Sequence, residues 1–139
     1  MRNKFDFYSD AGHGWLKVSR AELLVLGIAT TISNCSYAFG EWAFLEEDGD
    51  FSQFVTAWEA KTGLTWSMTD NVREHTSDLS SIRGYAGYTP LSEVELTEMR
   101  SLAGRMRTIF SRQARIISSA SLTQLREWAR AHLTPPVTA

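Results

Sequence analysis

The residue types best suited to chemistry sit near the start of the chain. Ser9, Asp10 and His13 surround Gly12-His13-Gly14 within five positions, offering a nucleophile, an orienting carboxylate and a base. Members of such a triad approach the reacting atom from different directions, so they normally come from distant segments. Packed this closely, the three read instead as turn chemistry, with Asp10 accepting from nearby amides. Glu74-His75 lies in a polar segment with no evident third partner. Cys35 has no helix N-terminus or adjacent cation to favour a thiolate, so a buried, inert place is expected for it. No catalytic residue is assigned, and the chain reads as non-enzymatic.

Glu46-Glu47-Asp48-Gly49-Asp50 places four carboxylates in five residues, the oxygen-rich chemistry of calcium or magnesium sites. The spacing departs from the D-x-[DN]-x-[DN]-G calcium loop. Glu46, Glu47 and Asp48 therefore stand either as an acidic partner-binding patch or as the turn into a helix, whose dipole favours acids at its start. His13, His75 and His132 are scattered, and the single cysteine excludes an internal disulfide and a cysteine-based zinc site. Gly12-His13-Gly14 lacks the third glycine of a dinucleotide fingerprint and the Gly-Lys-Ser/Thr ending of a P-loop. Neither a metal nor a cofactor is expected.

Charge is uneven along the chain. Residues 1–60 hold nine acids against four bases, a balance of −5; residues 101–139 hold six arginines against Glu127 alone, a balance of +5. Either the two ends neutralise each other in the fold, or one of them meets a charged partner. Arg100, Arg105, Arg107, Arg112 and Arg115 fall within an arc of roughly 160° on a helical wheel. Guanidinium forks grip carboxylate and phosphate bidentately, which makes this arc a candidate partner-binding face. The competing reading is that cations belong late in a helix, with Glu93, Glu95 and Glu98 early, as the dipole prefers. The formal net charge of −2 lends a nucleic-acid binder no support from bulk charge.

These residues need a scaffold, and 139 residues at 43% hydrophobic and 22% charged can build one. That composition excludes disorder, collagen and a simple coiled coil. Phe5 to Tyr8 and Trp15 to Val18 read as strands, joined through the glycine turn. Ser19-Arg20-Ala21-Glu22 is a capping box for a short helix that Gly27 stops. Ile32 to Phe39 and Trp42 to Leu45 read as a hairpin through Gly40-Glu41. Asp50 is placed to cap a helix over Phe51 to Lys61, ended by Gly63. Leu64 to Met68 reads as a strand, Thr76 to Ser81 as a polar loop and Ile82 to Tyr88 as an edge strand. The expectation is an α+β domain over residues 1–90, an antiparallel sheet of four to six strands with helices on one face.

Residues 91–139 read as an amphipathic helical hairpin packed on that domain. Ser92-Glu93-Val94-Glu95 is a second capping box, opening a helix that runs to about Ile117. Its apolar side carries Leu96, Met99, Leu102, Ala103, Met106, Ile109, Phe110, Ile116 and Ile117. Ser121 opens a last helix with Leu122, Leu125, Trp128 and Leu133 on one face, stopped by Pro135-Pro136. The longest aliphatic run, Leu23 to Ala29, is far short of the roughly 20 residues a membrane span needs. With no secretory leader pattern after Met1 and one free cysteine, a cytoplasmic protein is expected.

Tyr8-Ser9-Asp10, Gly12-His13-Gly14-Trp15-Leu16, Ser36-Tyr37, Leu45-Glu46-Glu47-Asp48 and Ile82-Arg83-Gly84-Tyr85 occur in this order. Together they resemble a family of small uncharacterised proteins carried by phages, plasmids and other bacterial mobile elements. Relatives carry proline where this chain has Ala11 and Ser19, and cysteine where it has Gly49. The resemblance spans roughly residues 5–90 and brings no catalytic residue with it. It implies a non-enzymatic interaction protein, an inhibitor binding a host defence nuclease complex of the CRISPR type. The alternative is a nucleic-acid-binding regulator using the C-terminal arginine face.

Overall fold

Alternation along the first strands sets the two faces of the sheet. In β1 (Phe5–Ser9) Phe5 and Phe7 point to one side while Asp6 and Tyr8 point to the other. In β2 (Gly14–Ser19) Leu16 and Val18 oppose Trp15 and Lys17 in the same way. A capping box at Ser19 and Glu22 then opens α1 (Arg20–Val25), and Gly27 follows it with a φ of 73°. The hairpin of β3 (Tyr37–Phe39) and β4 (Trp42–Glu46) turns through Gly40, whose φ is 59°. Next come α2 (Asp50–Thr62), α3 (Met68–Asn71), β5 (Val72–Thr76), a 3-10 turn at Ile82–Gly84 and β6 (Ala86–Gly87). The structure is a computed structural model and describes residues 1–76 and 81–133.

The class is α+β, with a six-stranded sheet in the order β5-β1-β2-β4-β3-β6. Helix α2 buries Phe54 and Trp58 against Phe5, Leu16, Val18 and Leu45 on one side of it. Phe5 and Phe54 meet edge to face at 5.3 Å, and Trp58 and Trp66 do so at 5.2 Å. Rings this deeply buried typically cost about 3–5 kcal/mol each when cut to alanine.

Four local expectations need correction. The sheet is mixed, because β5 pairs in parallel with β1, placing Arg73 beside Asp6 and His75 beside Tyr8. Its polar residues occupy an edge, where water satisfies the outer face and no apolar alternation is required. Leu64 to Met68 forms no strand: the Trp66 amide donates to the Glu59 carboxylate and the Ser67 amide to Asn71 Oδ1, so side chains replace a ladder. Residues 32–36 form turns rather than the start of β3, and Ile82 to Tyr88 forms a 3-10 turn and a two-residue strand. Of the expected polar loop at Thr76 to Ser81, residues 77–80 lie outside the described residues.

The tail differs from a two-helix hairpin. Ser92 and Glu95 form the expected capping box, but α4 (Glu93–Ile109) ends at Phe110, which leaves the helical region at φ −117°, ψ 56°. Phe110 stacks on Trp128 at 5.6 Å, a contact that continuing the helix would forgo. A 3-10 turn at Ser111–Gln113 leads into α5 (Ala114–Ser119) and α6 (Leu122–His132), the latter capped by Ser121 and Gln124. Ile109 and Ile116, expected inside, are 59% and 61% exposed: Ile109 ends α4 at the margin of its buried face, and Ile116 lies beyond the break in α5. Leu96, Met99, Met106, Ile117, Leu122 and Leu125 form a second core. Ala21 and Leu24 of α1 pack on that core, and Leu24 touches the sheet core as well. Pro135-Pro136 lies outside the described residues. Among the described residues no helix is long and apolar enough to cross a membrane.

Candidate functional site

Asp10 Oδ1 accepts from the Gly12 and His13 amides at 2.9 and 2.8 Å, the turn chemistry its position suggests. The tertiary fold adds a partner. Arg83, carried by the 3-10 turn, donates from Nε to Asp10 Oδ2 at 2.9 Å, and its Nη2 lies 2.7 Å from His13 Nδ1. Its guanidinium also lies 5.5 Å from the Trp15 ring, on which His13 stacks. The Gly12 amide, with Arg83 and the His13 amide, holds the Asp10 carboxyl below the usual carboxylate range. Both groups that sequence offers for acid-base chemistry thus fasten the 3-10 turn to the β1–β2 turn. The His75 ring nitrogen likewise lies 2.9 Å from Asp6 Oδ1, and its ring stacks on Tyr8 at 4.8 Å. Burial raises the Asp6 carboxyl, but the His75 hydrogen bond and the charges of Arg73, His75 and Lys17 outweigh it and leave it lowered.

The sheet side away from α2 is aromatic. Trp15, Phe44 and Ile82 are buried there, ringed by half-buried Tyr8, Tyr37, Phe39, Trp42 and Tyr85. Between Tyr8, Phe39, Trp42 and Tyr85 opens a cleft of about 320 Å³, with Phe44 and Ile82 as its floor. The Lys17 ammonium sits 4.3 Å from the Trp42 ring centroid at its rim. Period-two alternation in β2 and β4 puts these rings on one face, and β3 and the 3-10 turn add Phe39 and Tyr85. Sequence reasoning had each ring as strand content but not their shared side, because β3, β4 and the 3-10 turn are set together only by long-range pairing.

The arginine arc is dispersed. Arg100 is ion-paired with Glu41, which joins α4 to the β3–β4 turn. Arg105 is exposed and engaged in an interaction; Arg107 is half-buried on α4. Arg112 and Arg115 are exposed but lie beyond the helix break, in the 3-10 turn and in α5, so the single-helix wheel does not apply to them. Arg126 grips Glu98 through Nε and Nη2 at 2.7 and 2.6 Å, holding α6 to α4.

The acidic run is a turn. Glu46 Oε2 accepts from the Asp48 amide, while Glu47 and Asp48 are exposed. Asp50 is not the side-chain cap of α2, a position held by Gly49. Its buried carboxylate instead accepts from the Ser33 amide and hydroxyl, the Ser36 hydroxyl and Gln53. That network draws residues 33–36 into turns and leaves Cys35, expected inside, exposed between them. No cluster of three or more potential metal ligands occurs among the described residues.

Arg20 is the counterpart of Asp50, a buried charge with neutral partners. Its Nε donates to the Gly40 carbonyl at 2.8 Å and its Nη1 to the Thr89 carbonyl at 2.7 Å. The guanidinium lies 5.4 Å from the Tyr88 ring centroid. Sequence reasoning assigned Arg20 to a capping box only. Its burial follows from the β3–β4 turn and the Thr89 carbonyl closing over it from 20 and 69 positions away. Compared with known proteins, the chain matches no family model, no curated protein and no solved structure.

Proposed function

We propose that the protein is a non-enzymatic interaction module whose partner, a protein, docks on the aromatic side of the sheet. The observation that carries this reading is the cleft among Tyr8, Phe39, Trp42 and Tyr85, open to one apolar side chain of a partner. Half-buried tyrosine and tryptophan around a pocket are the usual anchors of protein interfaces, since they bury much area for little conformational entropy. The surrounding charge is mixed, with Asp6 and Glu46 beside Lys17 and Arg73 on the same face. A phosphate backbone would favour a basic excess that this face lacks. The partner class suggested by the resemblance to mobile-element proteins is a bacterial defence complex, which this chain would inhibit by binding.

The test is affinity capture from nuclease-treated bacterial lysate with wild type, Trp42→Ala and Arg112→Glu/Arg115→Glu side by side. A stoichiometric protein recovered by wild type and the double-arginine variant, and lost by folded Trp42→Ala, supports the reading. Recovery of no protein at low and moderate salt, or capture insensitive to Trp42→Ala, refutes it. Capture lost only in the arginine variant would move the interface to the tail.

A further inference from the structure

A second cleft, of about 430 Å³, opens where the β3–β6 edge meets α5 and α6. Arg20 lies in its wall, with Phe39 and Tyr85 on one side and Ser119, Ser121 and Gln124 on the other. The Arg20 side chain is fixed by two carbonyls and its residue is only 6% exposed, yet no carboxylate pairs with it among the described residues. A guanidinium is always charged in proteins, and a buried charge without a counter-charge is costly. Burial here lowers the Arg20 pKa, with only Tyr88 opposing. Among the described residues the cleft lining contains no acid to supply the missing charge. The eleven-residue helix α6 starts at this wall, so its positive dipole end adds to the field of Arg20.

We propose that this cleft is a binding site for an oxyanion carried on a small ring compound, with Arg20 as its charge partner. The volume lies within the range of about 300–1,000 Å³ typical of small-molecule sites and leaves room beyond the anion itself. The Phe39 and Tyr85 rings offer an apolar wall for a flat group. A Cβ added at Gly84 would meet nothing within 4 Å, so this part of the wall is open space. The site is distinct from the docking cleft: Phe39 and Tyr85 border both, but Arg20 borders only this one.

The decisive experiment is calorimetric titration with adenosine 5′-monophosphate, adenosine, inorganic phosphate and benzoate at two salt concentrations. The proposal expects the monophosphate to bind at least tenfold more tightly than adenosine and than inorganic phosphate, and to weaken as salt rises. Benzoate binding in preference to the monophosphate would assign a carboxylate as the anion and keep the site. Arg20→Gln should lose at least tenfold in affinity, but it also removes two structural hydrogen bonds. Gln124→Glu supplies the second variant: glutamate preserves the capping box with Ser121 while placing a carboxylate in the cleft wall. It should fold as wild type and lose the anion. No binding of either oxyanion compound at millimolar concentration, adenosine binding as tightly as its monophosphate, or unchanged affinity in Gln124→Glu would overturn the proposal.

Discussion

Gly40→Ala is the perturbation that most directly interrogates how the tail meets the sheet. Gly40 is the first residue of the two-residue β3–β4 turn, and its positive φ of 59° already disfavours any side chain. An added Cβ would also collide with the Ser118 carbonyl oxygen and stand 2.9 Å from its carbon, both backbone atoms of α5. Gly27 and Gly63 share the positive φ, each 73°, but a Cβ there meets nothing within 4 Å. These two controls isolate the conformational cost, about 1–2 kcal/mol for an L-residue in that region. Gly40→Ala carries the same cost plus that of displacing α5, about 1–3 kcal/mol if it resembles overpacking in a core. The expected total is about 2–5 kcal/mol, and a chain of this size loses roughly 3 °C of Tm per kcal/mol. Urea denaturation of the three variants reads the difference. If Gly40→Ala is no worse than Gly27→Ala, α5 does not rest on the hairpin, and the cleft beside Arg20 loses its outer wall.

Asp50→Ala should destabilise by about 2–4 kcal/mol, because it orphans the buried Ser36 hydroxyl and frees the partly covered Ser33 amide and hydroxyl; the shift in urea midpoint measures it. Asp6 and Asp10 both have lowered carboxyl pKa values, so the unfolded chain takes up their protons first as pH falls. Their stabilisation is therefore complete above about pH 4 and is lost as pH drops through the lower folded values. Denaturation series between pH 7 and pH 2 should show this loss, with the Asp10 share reduced in Arg83→Met. Arg112→Glu with Arg115→Glu should leave stability within about 0.5 kcal/mol per substitution, as both side chains are exposed. Cys35 should react with a thiol reagent in the native protein without denaturant, and Cys35→Ser should leave the urea midpoint unchanged; protection of the thiol would contradict its exposed position.

Elements specified by short-range chemistry were legible in the sequence. Three capping boxes, at Ser19, Ser92 and Ser121, form as their spacing dictates, because donor and acceptor lie within one helical turn. The stops at Gly27 and Gly63 follow from the one residue that tolerates left-handed backbone without strain. Alternation marked β1, β2 and β4, and the apolar face of α2 was readable from Phe54 and Trp58.

What only the tertiary structure decided concerns partners distant in sequence. The strand Val72–Thr76 has little local signal and exists because β1 lies open beside it. The helix break at Phe110 depends on Trp128, eighteen residues further along. Arginine periodicity described one helix faithfully, but that break placed Arg112 and Arg115 on other elements. Asp50 looked like a cap because caps are local; it turned inward because Ser33 and Ser36 converge on it from another loop. The same holds for both candidate sites. Each ring and charge was visible in the chain, but one cleft needs β3, β4 and the 3-10 turn aligned, and the other needs α5 and α6 closed over Arg20. Local rules read a residue against its neighbours within a turn, whereas a site is a juxtaposition across many turns, set by which buried surfaces find each other.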